Sequence, residues 1–484
     1  MKCRLFLCVI ILFGSMSLYA QGYRIKTTMK NGKGYLYLGY YFGEMKYLQD
    51  SALMDKSGTA VFQGKKNLAG GLYILIDPEK SRFFDVVIDN DQQFAVEIDT
   101  AFALVKITGS KENDELLAYQ KINNFLFKDF EKWREDLKLV KTKEDSLAIQ
   151  KKMNGAFENA QKWRDSFIIA NPDAFLSLMF RLMREPEYKV EGTLRQDTLN
   201  AVSRYKEEYW KDISYSDIRL LRTPVFESRL SKYMEQVVYR HPDSLKLEID
   251  RFILYSRTDT TMYKYYISRF TNEYMASKYM GLDVVFLHLF QKYYLSGQVS
   301  WLSEKDSVLI YNRAYNIMGN IIGEPAAELA LLDKDDRPKN LYSITSPYTL
   351  VVFWDPDCGH CREQVPLIDS LYKAGWNKKG IKLVGVLVDT IRTDQSKWPA
   401  VKAKWTGYIN EHKLAEWVHL YQPFAMREEE RRNNIPNFRQ NYDVYQTPTI
   451  YLLDKQKRII AKKITPEQVQ DFIEFQETQN NNQN

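Results

Sequence analysis

The residues of this chain best suited to chemistry are two cysteines, Cys358 and Cys361. They lie in the stretch 354–366, which reads WDPDCGHCREQVP, and only Gly359 and His360 separate them. A Cys-x-x-Cys pair is typical of dithiol redox centres and also supplies half of many zinc sites. A zinc site needs about four ligands, and the sequence has no second such pair. We therefore predict a redox-active pair, with no metal and no cofactor.

The N-terminal residues 1–20 have the pattern of a cleavable export signal. Lys2 and Arg4 precede a short apolar run at 5–13, and Ala20 offers a small residue at the cleavage position. The run is too short to cross a bilayer, which takes about 20 apolar residues. We expect a periplasmic or cell-envelope protein that is exported by this signal peptide and has no stable membrane insertion.

Cleavage of this signal would leave one pair of cysteines. Cys3 and Cys8 belong to the signal, so the mature protein keeps Cys358 and Cys361. In an oxidising compartment, a sole pair can exchange with other proteins without mispairing inside its own chain. A purely structural disulfide is disfavoured, because closing so small a loop constrains little of the unfolded chain.

The overall composition is that of a globular protein without a nucleic-acid partner. Hydrophobic residues make up 45% of the 484 residues, which is normal for folded domains. The chain has 68 Lys and Arg against 62 Asp and Glu, and the net charge of +6 is too small to indicate nucleic-acid binding.

Three regions of different character follow the signal. Residues 21–108 contain short apolar runs between turns, which predicts a β-rich, sandwich-like N-terminal domain; the runs are 35–38, 60–62, 72–76, 83–88 and 94–98. Residues 109–321 have helical periodicity and predict an all-α middle domain; one apolar stripe contains Leu282, Phe286, Leu289 and Tyr293. Residues 322–475 alternate strands and helices, which predicts an α/β domain. We expect a disordered tail at 476–484.

The cysteine pair falls at a strand-to-helix junction of the third region. A buried-strand pattern covers 348–354, and 361–372 has helical character. At a helix N-terminus, the unpaired N–H groups and the helix dipole favour negative charge. The pKa of the first thiol should therefore fall below its unperturbed value of about 8.5. The resulting thiolate can attack a disulfide, and the second cysteine can then close the ring.

Several features of this third region together resemble one family. They are the strand ending in Trp354, the CGHC pair, Pro366 five residues after the second cysteine, and Thr447-Pro448 at the start of a later strand. Residues 322–475 thus resemble the extracytoplasmic thiol-disulfide oxidoreductases of the TlpA/ResA type, which have a thioredoxin fold of the AhpC/TSA-like redoxin class. The upstream regions more loosely resemble the β-rich and helical domains of Bacteroidetes-type envelope proteins.

The resemblance implies a role for each matching position. Cys358 would be the nucleophile and Cys361 the buried resolving thiol. Gly359 and His360 would tune the reduction potential, because a positive charge or donor beside the thiolate stabilises the reduced form. The remaining roles are a substrate-binding or active-site loop, which contains Trp354, Thr447 and a cis Pro448, and the helix kink at Pro366.

One position departs from the thioredoxin pattern. Thioredoxins carry a buried Asp two residues before this tryptophan, and here Val352 occupies that position. The proton relay must therefore use another group. Asp355 and Asp357 flank the cysteine pair, and Asp389 lies at the end of a later strand, so each is a candidate for the proton relay. We interpret all three as solvated turn residues.

The resemblance also implies the partners. They would be client proteins with thiols or disulfides, apocytochrome c among them, and a membrane electron donor or oxidant. The Gly-His dipeptide predicts a less reducing pair than the Gly-Pro of thioredoxin. Cytochrome c maturation and general redox homeostasis of the envelope both fit this prediction, so the direction of electron flow stays open.

Two other functions compete with this interpretation. A peroxiredoxin-like peroxidase would need a Thr three residues before its reactive cysteine, and Asp355 stands there. An envelope binding or scaffold protein is the stronger alternative, in which the first 320 residues recognise a partner and the redox domain is accessory. Deletion of those residues separates the two, because unchanged activity toward every client would favour the scaffold.

Overall fold

The computed structural model describes residues 22–277, 279–389 and 395–481. The described residues form two compact units, one from 22–239 and 251–264 and the other from 240–250 and 265–481. The predicted signal peptide at 1–20 lies outside the described residues. Among the described residues, no helix is long and apolar enough to cross a membrane.

The first unit begins with a β-sandwich. Its strands are β1 Tyr23–Met29, β2 Tyr35–Phe42, β3 Met45–Leu53, β4 Thr59–Gly64, β5 Gly71–Ile76, β6 Phe83–Ile88, β7 Gln93–Ile98 and β8 Leu104–Thr108. They form two four-stranded sheets, ordered β4-β1-β7-β8 and β3-β2-β5-β6. Side chains from both sheets fill one core, and Ile25, Phe62, Tyr73 and Val96 are fully buried in it. The predicted sandwich is confirmed, and β1, β3 and β8 are additional to the predicted strands.

Helices follow the sandwich in the first unit. They are α1 Lys111–Leu139, α2 Lys143–Ala170, α3 Phe175–Met183, α4 Arg195–Tyr209 and α5 Phe226–Lys232. Ser110 caps α1 by accepting a hydrogen bond from the N–H of Asn113. Asn113 also ties α1 to β6, because its side chain accepts from the Val87 N–H at 2.9 Å and donates to the Val87 carbonyl at 2.8 Å.

Two helices, α6 Pro242–Tyr255 and α7 Thr260–Met275, contribute residues to both units. The second unit continues with α8 Asp283–Leu289 and α9 Glu304–Met318. Because the helices of 109–321 are divided between the two units, they do not form a unit of their own. The multidomain fold class, with a β-rich start, a helical middle and a thioredoxin-like end, is confirmed. The boundaries at 108 and 321 stay predictions.

The second unit contains a seven-stranded sheet with the order β10-β9-β13-β12-β11-β14-β15. These strands are β9 Leu331–Asp333, β10 Pro338–Lys339, β11 Tyr348–Trp354, β12 Ile381–Leu387, β13 Val418–Tyr421, β14 Thr449–Leu453 and β15 Ile459–Lys462. The central strands β11, β12 and β13 are parallel, and β14 is antiparallel to β11. The sequence analysis did not predict β13, because its four residues lie in a polar, helix-like stretch.

Helices cover both faces of this sheet. They are α10 Gly359–Leu371, α11 Trp398–Glu411, α12 Phe424–Arg432, α13 Phe438–Asn441 and α14 Gln468–Asn481. Alternate residues of β11 point to opposite faces. Leu350, Val352 and Trp354 join the core that contains α10, α11 and α14 residues, whereas Val351 and Phe353 join the core with α13.

The last helix corrects the predicted end of the domain. The sequence analysis places a disordered tail at 476–484, but α14 continues to Asn481. The hydroxyl of Thr478 donates to the Glu474 carbonyl at 2.8 Å, one helical turn earlier. The polar composition of the tail was misleading, since Gln, Glu and Thr can continue a helix whose preceding turns are anchored by buried Val469 and Ile473.

Candidate active site

The cysteine pair lies where the central strand β11 gives way to α10. Cys358 is the N-cap residue of α10, with extended backbone angles (φ −77°, ψ 125°). A turn built on Asp355 leads into it. The Asp355 carbonyl accepts from the Cys358 N–H at 3.1 Å, and its carboxylate accepts from the Asp357 N–H at 2.8 Å. This turn places the Cys358 thiol at the N-terminus of α10, beside main-chain N–H groups that have no partner within the helix.

The environment of Cys358 favours its thiolate. The residue is half-buried and carries a free thiol in this structure. Burial raises its pKa, but hydrogen bonds from the Thr447 side chain and from the N–H groups of Cys361 and His360 outweigh burial. The net pKa of the Cys358 thiol lies below its ordinary value. The first cysteine is therefore the better nucleophile.

The environment of Cys361 has the opposite effect. Its side chain is fully buried, and burial raises the pKa of its thiol to about 12. Hydrogen bonds from the Asp355 N–H and the Thr447 side chain oppose the shift, and the nearby Cys358 sulfur adds to it. The two thiols therefore differ in both acidity and accessibility. Cys358 is half-buried with a lowered pKa, and Cys361 is buried with a raised pKa.

A loop ending in Thr447 and Pro448 faces the pair. The Thr447–Pro448 peptide bond is cis, and the Cys358 thiol donates to the Thr447 carbonyl at 3.2 Å. Pro448 precedes β14, which pairs with β11. Sheet pairing thus brings residues separated by 89 positions into contact.

A cleft of about 210 Å³ opens beside this loop. Its wall includes Asp355, Asp389, Arg439, Tyr445 and Thr447. Burial raises the pKa of Asp355, and the charges of Asp357 and Asp389 raise it further. Asp389 is bound by the Arg427 guanidinium at 2.6 Å and 3.2 Å.

This geometry corrects the interpretation of the three aspartates as solvated turn residues. Asp355 is 9% exposed and Asp389 is 4% exposed. Both follow the carboxyl ends of neighbouring parallel strands, β11 and β12, where the polypeptide turns across the sheet edge. Only Asp357 of the three is exposed, and it pairs with Lys404.

The predicted place of Trp354 in a substrate-binding or active-site loop stays a prediction. Its side chain is fully buried in the core that also contains Cys361. Its ring lies against Gly385 of β12, where an added Cβ would come within 2.9 Å of the indole Nε1. The tryptophan therefore supports the active-site turn from beneath.

The other predicted positions are distributed as follows. Gly359 and His360 are exposed on the first turn of α10, and Pro366 lies inside that helix. Val352 is fully buried in the core that also contains Cys361. Within the described residues, no three His, Cys, Asp or Glu side chains are grouped as metal ligands would be.

Sequence reasoning did not identify Tyr408, whose ring packs against the core that contains Cys361. Tyr408 lies on α11, and its ring contacts Trp354 at 5.2 Å between ring centroids. The sequence contains a weak signal for it, because Trp405 and Tyr408 are spaced to share one helix face. Nothing in that spacing indicates contact with the site.

Comparisons with known proteins match two separate parts of the chain. Residues 23–116 match the model of a domain of unknown function (DUF4369), and residues 322–462 match the AhpC/TSA family. None of the curated proteins compared with this chain matches it.

Solved structures of bacterial proteins are similar to parts of the chain. A domain of a possible thiol-disulfide isomerase from Cytophaga hutchinsonii is 27% identical and covers 34% of this chain and 97% of its own, with a TM-score of 0.27. A thioredoxin-like protein from Bacteroides caccae is 15% identical and covers 60% of this chain and 99% of its own, with a TM-score of 0.44. A thiol:disulfide interchange protein from Bacteroides sp. is 22% identical and covers 32% of this chain and 90% of its own, with a TM-score of 0.26.

The family match covers the seven-stranded sheet, the helices α10 to α13 and the cysteine pair of the second unit. Its fold is the kind found in thiol-disulfide oxidoreductases, with the pair at the N-terminus of a helix that follows a central strand. Residues 322–462 form a thioredoxin-fold domain of the AhpC/TSA family.

Proposed function

We propose that this protein is an exported thiol-disulfide oxidoreductase that exchanges disulfides with client proteins through Cys358 and Cys361. The observation that supports the proposal most directly is the difference between the two thiols. The half-buried Cys358 has a lowered pKa, and the buried Cys361 has a pKa raised to about 12. A dithiol enzyme needs this asymmetry, since one sulfur must attack while the other stays protonated until it is required.

The reaction proceeds in two exchange steps. The Cys358 thiolate attacks one sulfur of a client disulfide, a mixed disulfide forms, and the other client sulfur leaves as a thiolate that takes up a proton. Cys361 then gives up its proton and attacks the Cys358 sulfur. The second client sulfur leaves and is protonated. The client has gained two electrons, and the enzyme holds a Cys358–Cys361 disulfide that an electron donor must reduce.

A client has a place to bind beside the pair. The cleft lined by Asp355, Arg439 and Thr447 adjoins Cys358, because the Thr447 carbonyl accepts a hydrogen bond from the Cys358 thiol. An extended client segment placed there would present its cysteine to the Cys358 sulfur. The same sequence of steps run backward oxidises a client, so geometry alone is compatible with either direction.

The location and biological role belong to the same proposal. The N-terminal pattern of Lys2, Arg4 and the apolar run supports export to the periplasm or cell envelope. There the pair would draw electrons from a membrane donor, or pass them to an oxidant. Clients would include apocytochrome c during cytochrome c maturation or misoxidised envelope proteins.

Trapping of the mixed disulfide tests the proposal. Cys361→Ser lacks the resolving thiol, so we expect it to hold client proteins covalently through Cys358 in an envelope extract. Cys358→Ser is the matched control and should hold none. The bands should disappear on reduction with dithiothreitol. A Cys361→Ser variant that is folded and captures no thiol-containing protein or disulfide-bonded model peptide would overturn the mechanism.

A further inference from the structure

Tyr445 is an exposed aromatic residue beside the active-site pair. It is 71% exposed and lines the same cleft as Thr447, whose carbonyl accepts a hydrogen bond from the Cys358 thiol. Among the residues that line this cleft, Tyr445 is the large hydrophobic residue that is exposed. A single exposed aromatic is ordinary on a protein surface, so exposure by itself assigns no role to Tyr445.

Two residues of α9 hold the Tyr445 ring in position. The Asn316 amide donates a hydrogen bond to the Tyr445 hydroxyl. The Arg313 guanidinium lies 5.9 Å from the centre of the Tyr445 ring, within the range of a cation–π interaction. A side chain that is already held in one place loses little conformational entropy when a partner binds to it. Tyr445 is therefore preorganised for binding.

The loop that carries Tyr445 is anchored at its start. Asp443 is 2% exposed, and its two carboxylate oxygens pair with Arg313 of α9 and with Lys463, which follows β15. The Nε atom of Arg313 also donates to the Met275 carbonyl at 3.0 Å. Removal of one partner from a buried ion pair is strongly destabilising, because a charge is left without compensation. The start of the loop is thus fixed to two other elements.

The C-terminal end of α9 packs closely against the residues that precede this loop. Asn320 donates to the Asn441 carbonyl at 3.2 Å, and a Cβ added to Gly319 would come within 3.1 Å of the same oxygen. This helix ends before residues 322–462, which match the AhpC/TSA family. A helix outside the family match therefore holds one wall of the active-site cleft.

The charged side chains of the cleft already have partners. Asp389 is bound by the Arg427 guanidinium at 2.6 Å and 3.2 Å, and Arg439 lies 3.9 Å from the same carboxylate. The Asp355 carboxylate accepts a main-chain N–H of its own turn at 2.8 Å. The ring of Tyr445 is the exposed apolar surface that this cleft offers, so an apolar client side chain fits it better than a charged one.

We propose that Tyr445 is a specificity-determining residue that contacts an apolar side chain next to the reacting cysteine of a client, and that α9 positions it through Asn316 and Arg313. This inference rests on the proposed oxidoreductase function. The partner is an extended client segment with aromatic or aliphatic residues beside its cysteine. Aromatic side chains near the centre of an interface contribute a large share of its affinity, and Tyr445 lies beside the point where the two sulfurs meet.

Activated peptides measure this recognition in the first exchange step. Three peptides carry Phe-Cys-Phe, Gly-Cys-Gly or Lys-Cys-Lys at the centre of one sequence, and a disulfide joins the cysteine to 5-thio-2-nitrobenzoate. The Cys358 thiolate attacks the peptide sulfur, a Cys358–peptide disulfide forms, and the coloured nitrobenzoate thiolate leaves. For the unmodified reduced protein, we expect the second-order rate constant of the phenylalanine peptide to exceed that of the glycine peptide by about threefold to tenfold.

Four variants identify the source of this preference. Tyr445→Ala removes the ring, so the phenylalanine and glycine peptides should react at equal rates. Tyr445→Phe and Asn316→Ala each remove the same exposed hydrogen bond and should each reduce the preference by about twofold. Their double variant should show the same reduction as either single variant, because both changes break one interaction. Tyr315→Ala removes an exposed ring of α9 outside the cleft and should keep the full preference.

The possible results separate this inference from the function on which it rests. The role of Tyr445 is refuted if the unmodified protein has no preference or prefers the lysine peptide, or if Tyr445→Ala keeps the full preference. Equal slowing of all three peptides in Tyr445→Ala would indicate a disturbed loop and would also refute it. Full preference in both Tyr445→Phe and Asn316→Ala would refute the positioning by α9. If the unmodified protein releases no thiolate from any peptide, the proposed function itself fails.

Discussion

The Cys358 sulfur lies 3.2 Å from the carbonyl oxygen of Thr447, on the loop that enters β14. The same threonine also hydrogen-bonds through its side chain to both active-site sulfurs. Thr447 therefore does more than line the cleft beside the cysteine pair, because its polar groups act on the acidity of the two thiols.

Removal of the Thr447 hydroxyl should make Cys358 less reactive. Thr447→Val keeps the shape of the side chain and loses the hydrogen bond that helps lower the Cys358 pKa. We expect alkylation of Cys358 by iodoacetamide at pH 7 to slow by about threefold to tenfold, as the loss of one charge-assisted hydrogen bond implies. Thr465→Val, on the loop before α14, is the control and should leave the rate unchanged. An unaltered rate in Thr447→Val would show that the threonine hydroxyl does not affect the reactivity of Cys358.

The two thiols should titrate far apart. A thiol reacts as its thiolate, which forms as the pH rises through its pKa. The pKa of Cys358 is lowered, so its alkylation rate should be half-maximal at a pH below the ordinary pKa of a thiol. Cys361, with a pKa near 12, should stay unmodified over the same range. Peptide mapping of the alkylated sites checks this, and early modification of Cys361 would contradict the assignment of roles.

Replacement of His360 should change the reduction potential. His360 is exposed on the first turn of α10, where its ring can place a donor or a positive charge near the Cys358 thiolate. His360→Pro removes this group, so the reduced form loses stabilisation and the pair should become more reducing by roughly 30–60 mV. Equilibration with glutathione and dithiothreitol measures the potential of both proteins.

The potential of the unmodified protein also decides the direction of electron flow. A value near −270 mV, as in thioredoxin, would support a reductase supplied by a membrane donor. A value between about −180 and −120 mV would support an isomerase or oxidase. A His360→Pro potential equal to or above that of the unmodified protein would contradict the assigned role of His360.

Replacement of Gly385 by a larger residue should destabilise the fold, because the space around this glycine is crowded. Gly385→Ala would place a Cβ 2.9 Å from the Trp354 Nε1 and 3.2 Å from the His419 Nδ1. We expect the free energy of unfolding to fall by about 1–3 kcal/mol, as is usual for overpacking a core. Gly407→Ala is the matched control, because its Cβ would meet nothing within 4 Å on α11. This variant should gain about 0.5–1 kcal/mol. Urea denaturation compares the two, and equal stability would refute the crowding.

Local sequence patterns were enough to predict much of the fold. The buried-strand pattern at 348–354 coincides with β11 Tyr348–Trp354, and the apolar run at 83–88 coincides with β6. Both segments are short apolar runs rich in β-branched and aromatic residues, so the pattern is visible without neighbours. The position of the cysteine pair at a strand-to-helix junction follows from the same local information.

Strands that depend on their partners were not predicted. β3 Met45–Leu53 is mostly exposed and polar, and it is a strand because it pairs along its whole length with β2. β13 Val418–Tyr421 has only four residues and is held between β12 and β9. For such segments, hydrogen bonds to distant parts of the chain outweigh weak local preference.

The sequence by itself determined which atoms can do chemistry, because Cys358 and Cys361 are the cysteines beyond the predicted signal and their spacing allows a ring. The tertiary structure decided what surrounds them. It buries Asp355 and Asp389, encloses Trp354 in the core and brings Thr447 to the Cys358 sulfur. Burial and the approach of distant residues set the acidity of each thiol, and both depend on the packing of the sheet against its helices.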